Sequence, residues 1–198
     1  MKVVLASKSP RRKEILENLG LRFEIVVADA DESCDIADPR ARVSALAAIK
    51  GRAVSELLDE KDGLEDVLII ACDTLVYAEG EFLGKPKSRD DARRMISLLS
   101  GKAHSVVSGL YVRLGNKEFM GAEETKVIFD KMTDSEIESY ISSDEPYDKA
   151  GGYAVQGLAS LYVSGLEGDY FNVVGLPVNL LYKILKNEFN IDIESLKG

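Results

Sequence analysis

The feature that most constrains the fold is an uninterrupted apolar run, Val67-Leu68-Ile69-Ile70-Ala71-Cys72, followed directly by Asp73-Thr74. Such a run is typical of a strand that is buried on both faces, as in the centre of an α/β sheet. We therefore predict a central strand that ends at Asp73. Ligands bind α/β sheets beyond the carboxyl ends of the strands. We expect the Asp73 carboxylate to face such a site, as a Mg²⁺ ligand or as a proton acceptor from water, with a turn cap as the alternative.

Apolar periodicity and turn signals predict strands and helices that alternate along the chain, with hairpins between some of them. Strands are predicted at 3–6, 23–27, 67–72, 75–77, 81–83, 105–114, 118–129 and 160–163; helices are predicted at 10–19, 38–58, 89–99 and 133–142, and a last helix opens at 175–177. Ser88 and Thr133 are the predicted N-caps of the third and fourth helices. This order predicts an α/β protein with a mixed twisted sheet flanked by helices. The chain carries neither the GxGxxG motif of a Rossmann fold nor a P-loop motif.

Length and charge limit the classes of function that the chain can have. Its 198 residues are enough for one domain over 1–198, with two small lobes as the alternative. A net charge of −9 argues against a nucleic-acid partner. The apolar run at the N-terminus is too short for a signal peptide, and no stretch approaches the roughly 20 apolar residues of a membrane span. We therefore expect a cytoplasmic protein without a membrane partner, whose Cys34 and Cys72 are reduced thiols.

The first predicted strand leads into a helix through a turn that is rich in phosphate-binding groups. Ser7 and Ser9 offer hydroxyls, and Ser9-Pro10 is a typical helix start with serine as N-cap. Arg11 and Arg12 add planar guanidinium groups to a helix N-terminus, which itself attracts anions. The turn therefore suits a phosphate chain. The alternative is a capped surface helix with two solvated arginines.

Acidic and basic residues elsewhere in the chain extend this interpretation. The acidic loop that contains Asp29, Asp31 and Glu32 offers the oxygen ligands that hard cations prefer, or is simply a solvated charge run. Lys50 lies on the apolar stripe of its helix, so its ammonium either reaches the surface or faces a polar pocket. Together these charges match a polyphosphate and the divalent ion that it carries.

Three further basic residues are weaker candidates. Lys85 and Lys149 lie in tight loops rich in glycine and proline, where functional side chains are common but exposed lysines are ordinary. His104 is the only histidine, so we interpret it as structural and disfavour a zinc hydrolase.

Six segments, in this order along the chain, carry a resemblance to the Maf nucleotide pyrophosphatases. They are Leu5-Ala6-Ser7-Lys8-Ser9-Pro10-Arg11-Arg12, Ala71-Cys72-Asp73-Thr74-Leu75-Val76, Gly84-Lys85-Pro86, Ser100-Gly101-Lys102-Ala103-His104, Glu145-Pro146-Tyr147-Asp148-Lys149-Ala150-Gly151-Gly152-Tyr153-Ala154-Val155-Gln156-Gly157 and Gly168-Asp169-Tyr170-Phe171-Asn172-Val173-Val174-Gly175-Leu176-Pro177. The resemblance implies a Maf/inosine-triphosphatase-like fold with two lobes around a deep cleft. It also implies hydrolysis between the α and β phosphates, a divalent metal cation (Mg²⁺ or Mn²⁺) and a homodimer.

The resemblance also assigns roles to single residues. Asp73 falls on the family's catalytic position, described as a proton acceptor, and Glu32 falls on an acidic position that helps to hold metal. Lys50, Lys85 and Arg12 fall on basic positions that line the cleft. Whether Asp73 is base, metal ligand or both stays open at this point.

Subgroup features indicate the nucleotide. The chain resembles the subgroup that prefers dTTP, UTP and modified uridine nucleotides, in which Arg11, Thr74 and Gln156 are the base-selecting set. The Gln156 amide can pair with both the N3–H and a carbonyl of a pyrimidine. The expected function is therefore a house-cleaning pyrophosphatase. The alternatives are a 7-methyl-GTP or ITP pyrophosphatase and a nucleotide-binding regulator of septum formation with little turnover.

Overall fold

The structure, a computed structural model, describes residues 1–197, apart from the side chains of residues 60–62. Its strands are β1 (Lys2–Leu5), β2 (Glu24–Ile25), β3 (Val67–Ala78), β4 (Glu81–Leu83), β5 (Ala103–Leu114), β6 (Lys117–Phe129) and β7 (Val163–Glu167). The α-helices are α1 (Pro10–Asn18), α2 (Pro39–Asp62), α3 (Arg89–Leu99), α4 (Asp134–Ile141), α5 (Tyr170–Val174) and α6 (Val178–Glu188). Short 3₁₀ turns lie at Glu145–Asp148, Ala150–Gly152, Leu158–Leu161 and Ile193–Leu196.

The strands form one mixed sheet, in the order β2-β1-β3-β5-β6-β7, with β4 beside β3. β1 runs parallel to both β2 and β3, whereas β4 is antiparallel to β3 and β7 is antiparallel to β6. The predicted mixed sheet flanked by helices is confirmed. Over residues 1–197, no helix is both long enough and apolar enough to cross a bilayer.

The chain divides into two compact units. The first unit contains Met1–Asp73, Ser108–Glu123 and the chain from Gly175 onward, and the second contains Thr74–Val107 and Glu124–Val174. β3, β5 and β6 each contribute residues to both units. The cleft that the resemblance implies stays a prediction.

The core of the first unit forms where α2 packs on one face of β3. Ile69 and Ala71 point to this face because alternate residues of a strand share a side. Ala47 and Val54 of α2 pack in the same buried cluster, together with the fully buried Tyr111 of β5. The same alternation puts the next residue of that face, Asp73, in line with the helix.

The second unit has its own core, whose helices begin with the expected caps. In α3, buried Ala92, Met95, Ile96 and Leu99 form one stripe. The Ser88 side chain accepts the N–H of Asp91 at the start of this helix. In α4, Thr133 and Glu136 form a reciprocal capping box, so the predicted caps of both helices are confirmed.

The prediction that the central strand ends at Asp73 is wrong, because β3 continues to Ala78. Beyond Asp73, Val76 and Ala78 alternate into the core of the second unit, and Val76 pairs with Leu83 of β4. A polar residue inside a strand does not end it when the side chain finds a partner, and Asp73 has one in Lys50.

The bounds of three other predicted elements also need correction, and one helix was not predicted. The predicted strand at 160–163 is wrong, because Leu158–Leu161 forms a 3₁₀ turn and the strand begins only at Val163. The N–H groups of Leu158 and Ala159 donate to the Glu145 carboxylate, which favours the turn. In addition, α2 extends to Asp62, β2 is only two residues long, and α5 was not predicted.

The packing of the first unit predicts that Gly109→Ala is strongly destabilising. A Cβ at Gly109 of β5 would lie 2.2 Å from the Val43 carbonyl oxygen and 2.6 Å from the Ser44 nitrogen, which are backbone atoms of α2. We expect a loss of about 2 kcal/mol or more in the free energy of unfolding, measured by urea denaturation. The matched control is Gly121→Ala in β6, where the added Cβ would be 3.5 Å from Leu180. Equal stability of the two variants would contradict the close approach of β5 and α2.

Candidate functional site

The side chain of Lys50 reaches the sheet because it continues the buried stripe of α2. Lys50 lies three residues after Ala47 and four before Val54, so all three share one helix face. That face packs on the side of β3 to which Asp73 points. The helix therefore delivers an ammonium group to a carboxylate in the interior of the first unit.

Lys50 connects two carboxylates. Its Nζ lies 2.5 Å from Asp73 Oδ1 and 2.9 Å from Glu32 Oε2. Asp73 is 8% exposed, whereas Glu32 lies in an exposed loop. Burial acts to lower the pKa of Lys50, but the charges and hydrogen bonds of Asp73 and Glu32 outweigh it, so the pKa is raised. The group is therefore a charged triad in which one cation serves two anions.

Arg12 ties three segments of the first unit together. Its Nη1 donates to the Cys72 carbonyl oxygen at 2.6 Å and to Ser7 Oγ at 3.0 Å. Its Nε donates to the Gly175 carbonyl oxygen at 2.8 Å. The residue that Arg12 holds through its carbonyl, Cys72, is the immediate neighbour of Asp73. The Arg12 guanidinium, from the start of α1, is thus fixed to the residue next to Asp73.

Register explains why the turn after β1 lies beside β3. Leu5 pairs with Ile70 in the parallel ladder, and the N–H of Ala6 donates to the Ile70 carbonyl at 2.8 Å. Ser7 is therefore level with the end of the apolar run of β3. Ser9 occupies the N-cap position of α1 and Pro10 follows it, as predicted, although the Ser9 side chain makes no capping hydrogen bond. Instead its N–H donates to Ser7 Oγ at 3.2 Å.

The two other acids of the loop do not join the triad. Asp31 accepts the N–H of Ser33 at 2.9 Å, and that hydrogen bond lowers the Asp31 pKa. Asp29 is exposed. No group of three or more His, Cys, Asp or Glu side chains is arranged to hold a metal within the part of the chain that the structure describes. Glu32 and Asp73 are the two carboxylates that pair with Lys50.

The remaining predicted site residues lie in the second unit, except for Arg11. Arg11 is half-buried in the first turn of α1. Thr74 follows Asp73 in β3 and is half-buried, and Lys85 and Gln156 are exposed in loops. Lys149 pairs with Asp148. The Gly84 carbonyl, next to Lys85, accepts the N–H of Gly151 at 3.0 Å.

His104 is buried in the second unit, in keeping with the structural role that we expected. Its Nε2 lies 2.6 Å from the Tyr153 hydroxyl, and its ring packs edge-on against Phe129 and Tyr153. Among the described residues, Nδ1 has no hydrogen-bond partner. Burial lowers the pKa of His104 to about 4.

Sequence reasoning missed the acceptors that fix Arg12, the carbonyl groups of Cys72 and Gly175. Backbone carbonyls carry no residue-type signal, and Gly175 is far from Arg12 along the chain. It also missed Glu145, whose carboxylate accepts the N–H groups of Leu158 and Ala159. A signal was available in this case, since glutamate stands directly before Pro146 in the loop that leads to Gln156.

Comparisons with known proteins agree on one family. A sequence model of the family described as "Maf-like protein" matches residues 2–188. The dTTP/UTP pyrophosphatase of Thermoanaerobacter sp. (strain X514) is 45% identical over 194 residues, which covers 96% of this chain and 98% of the relative. The dTTP/UTP pyrophosphatase of Bacillus anthracis is 42% identical over 193 residues, with 97% of each chain covered.

A solved structure resembles the fold. The Ham1 protein of Staphylococcus aureus superposes with a TM-score of 0.51 at 14% sequence identity, over 95% of this chain and 100% of that one. At this identity the likeness concerns the fold alone. It supports the predicted inosine-triphosphatase-like class.

The buried His104 predicts a loss of stability in acid. Its folded pKa of about 4 is below its ordinary value of 6.5, so the unfolded chain binds a proton more readily. The stability that neutral His104 contributes is complete above pH 6.5 and is lost as the pH falls towards 4, by at most about 3 kcal/mol. We expect the free energy of unfolding, measured in urea, to fall less steeply over this range in His104→Gln. Parallel curves for the two proteins would contradict the assignment.

Proposed function

The chain belongs to the Maf-like protein family, and from that premise we propose that it hydrolyses dTTP and UTP to the nucleoside monophosphate and pyrophosphate. The observation that carries the proposal is the Asp73 carboxylate, buried and paired with Lys50, one residue from the carbonyl that holds Arg12. A carboxylate and fixed cations are the groups that phosphoryl transfer needs.

We propose that Asp73 accepts the proton of the attacking water. The water oxygen forms a bond to the α phosphorus, the bond from that phosphorus to the bridging oxygen breaks, and pyrophosphate leaves. Lys50 keeps a cation next to the Asp73 carboxylate, whose negative charge is neutralised when it accepts the proton. Lys50 is thus placed to offset charge on the phosphates once Asp73 has taken a proton.

The phosphate chain is proposed to bind at the turn between β1 and α1. Ser7 is held by Arg12, and Ser9 and Arg11 lie at the start of α1, where free N–H groups favour anions. Because Arg12 is already anchored to two carbonyls, its guanidinium is oriented before substrate arrives. Such pre-organisation lowers the entropic cost of holding the triphosphate.

A divalent cation, Mg²⁺ or Mn²⁺, is proposed to be held by Glu32 and Asp73. The two carboxylates fit a cation, because their oxygens already converge on one positive atom, Lys50 Nζ. Mg²⁺ takes one or two carboxylates together with substrate phosphates and waters. When bound, it supplies neutralisation of phosphate charge and polarisation of the reacting phosphorus.

The residues of the second unit keep the roles that the resemblance implies. We propose that Gln156, with Arg11 and Thr74, selects a pyrimidine, and that Lys85 offsets phosphate charge. Exposed loop positions leave the side chains of Lys85 and Gln156 accessible to a ligand. A homodimer, a cytoplasmic location, a house-cleaning role and the absence of a nucleic-acid partner are proposals that rest on the same resemblance and on the net charge of −9.

The nucleotide assignment is tested by a panel of triphosphates. We expect pyrophosphate release with Mg²⁺ or Mn²⁺ to be fastest for dTTP and UTP, and slow for CTP, ITP and 7-methyl-GTP. Asp73→Asn should lower kcat by about 100-fold or more, because base catalysis contributes at least that much. A preference for ITP or 7-methyl-GTP would favour the purine alternative, and binding without any release would favour the regulator.

Metal binding is tested apart from turnover. We expect Glu32→Gln to weaken Mn²⁺ binding, measured by electron paramagnetic resonance with α,β-imido-UTP present, by about tenfold or more, since even outer-shell partners of a metal are worth about that. Asp31→Asn is the matched control, because Asp31 is occupied by Ser33 and lies outside the triad. Equal Mn²⁺ affinity in the two variants would remove Glu32 from the metal site.

A further inference from the structure

We propose that Glu145 is a positioning residue that sets base selection, because it fixes the loop segment that carries Gln156. The inference rests on the proposed function, since it assumes that Gln156 contacts the base. It is argued from contacts within the second unit alone. Nothing in the catalytic step requires Glu145 itself.

Glu145 holds the chain just after Gln156. Its Oε2 accepts the N–H of Leu158 at 2.6 Å, and its Oε1 accepts the N–H of Ala159 at 3.2 Å. Oε1 also accepts a hydrogen bond from the Tyr140 hydroxyl at 2.9 Å. A carboxylate that accepts two backbone N–H groups binds more strongly than neutral acceptors do, and it fixes the start of the 3₁₀ turn at Leu158.

Gly157 is the residue that lets the carboxylate approach so closely. A Cβ at this position would lie 2.2 Å from Glu145 Oε2 and 2.5 Å from its Cδ. Any side chain at position 157 would therefore displace the carboxylate from the two N–H groups. Glycine directly after Gln156 is thus what leaves room for the Glu145 carboxylate.

The chain just before Gln156 is fixed by other side chains. The Tyr140 hydroxyl lies 3.1 Å from the Gly152 carbonyl oxygen, within hydrogen-bond distance. The Tyr153 hydroxyl lies 2.6 Å from His104 Nε2. Tyr140 touches Glu145 as well, so one network holds the segment on both sides of Gln156.

Gln156 stands exposed between these two anchors. Its amide can hydrogen-bond to uracil, which presents an N3–H donor and a carbonyl acceptor. After a rotation it can also hydrogen-bond to cytosine, which presents an N3 acceptor and an amino donor. A side chain on a mobile backbone adapts to both bases, whereas a fixed backbone restricts the positions that its amide can take. Polar groups that are held in place give the strongest discrimination between similar substrates.

The test compares discrimination in four proteins: wild type, Glu145→Gln, Gln156→Ala and the double variant. The measured quantity is the ratio of kcat/KM for UTP to that for CTP. We expect this ratio to fall about tenfold in each single variant, mainly through KM for UTP, as expected for the loss of one charge-assisted hydrogen bond. The double variant should have the same ratio as Gln156→Ala, because Glu145 acts through Gln156.

Two further variants separate positioning from folding. Gly157→Ala keeps the carboxylate but displaces it, so its ratio should match that of Glu145→Gln. Glu138→Gln is the matched control, because Glu138 lies in the same unit and its carboxylate pairs with Arg89 at 3.0 Å. Its ratio should equal that of wild type. Hydrogen exchange of residues 153–159 should quicken in Glu145→Gln and Gly157→Ala and stay unchanged in Glu138→Gln.

Clear outcomes would overturn the inference. An unchanged ratio in Glu145→Gln, or a further tenfold fall in the double variant, would show that Glu145 does not act through Gln156. If wild type releases no pyrophosphate, the proposed function is wrong. In that case the Kd values for UTP and CTP are measured by calorimetry, and their ratio replaces the ratio of kcat/KM. Equal Kd values in wild type would overturn the inference as well.

Discussion

The ion triad of Asp73, Lys50 and Glu32 is the interaction on which the rest of the first unit depends. A carboxylate in the middle of a buried strand is costly unless a charged partner accompanies it. Lys50 provides that partner, since α2 carries it on the face that also buries Ala47 and Val54. Breaking one member of such a set leaves an uncompensated charge. The position of α2 on the sheet and the burial of Asp73 are thus linked.

Arg12 extends this arrangement to the segments around the triad. One guanidinium group joins the Ser7 hydroxyl to the carbonyls of Cys72 and Gly175, which are far apart along the chain. The parallel register of β1 and β3 places Ser7 level with Cys72. One guanidinium group in the first turn of α1 can therefore contact both residues. A basic residue whose sequence context also allowed a solvated side chain therefore orders the turn between β1 and α1.

The second unit follows the same principle with different groups. Side chains that satisfy backbone groups help to fix its loops, as Glu145 does for Leu158 and Ala159. Buried His104 meets the Tyr153 hydroxyl, and the burial that lowers the pKa of His104 also raises the pKa of Tyr153. Loops held in this way present polar side chains such as Gln156 at defined positions.

The sequence by itself determined the class of fold and most helix boundaries and caps, because periodicity, capping and turn signals act between near neighbours. It also singled out Asp73, Glu32 and Lys50, the charged residues of the triad. It did not reveal that β3 runs through Asp73, that Leu158–Leu161 is a turn, or that Arg12 is anchored by two carbonyls. Each of these depends on a partner distant in the chain: Lys50 for Asp73, Glu145 for the turn and Gly175 for Arg12. Only the tertiary structure decided them, because the free energy of a buried polar group is set by what packs against it.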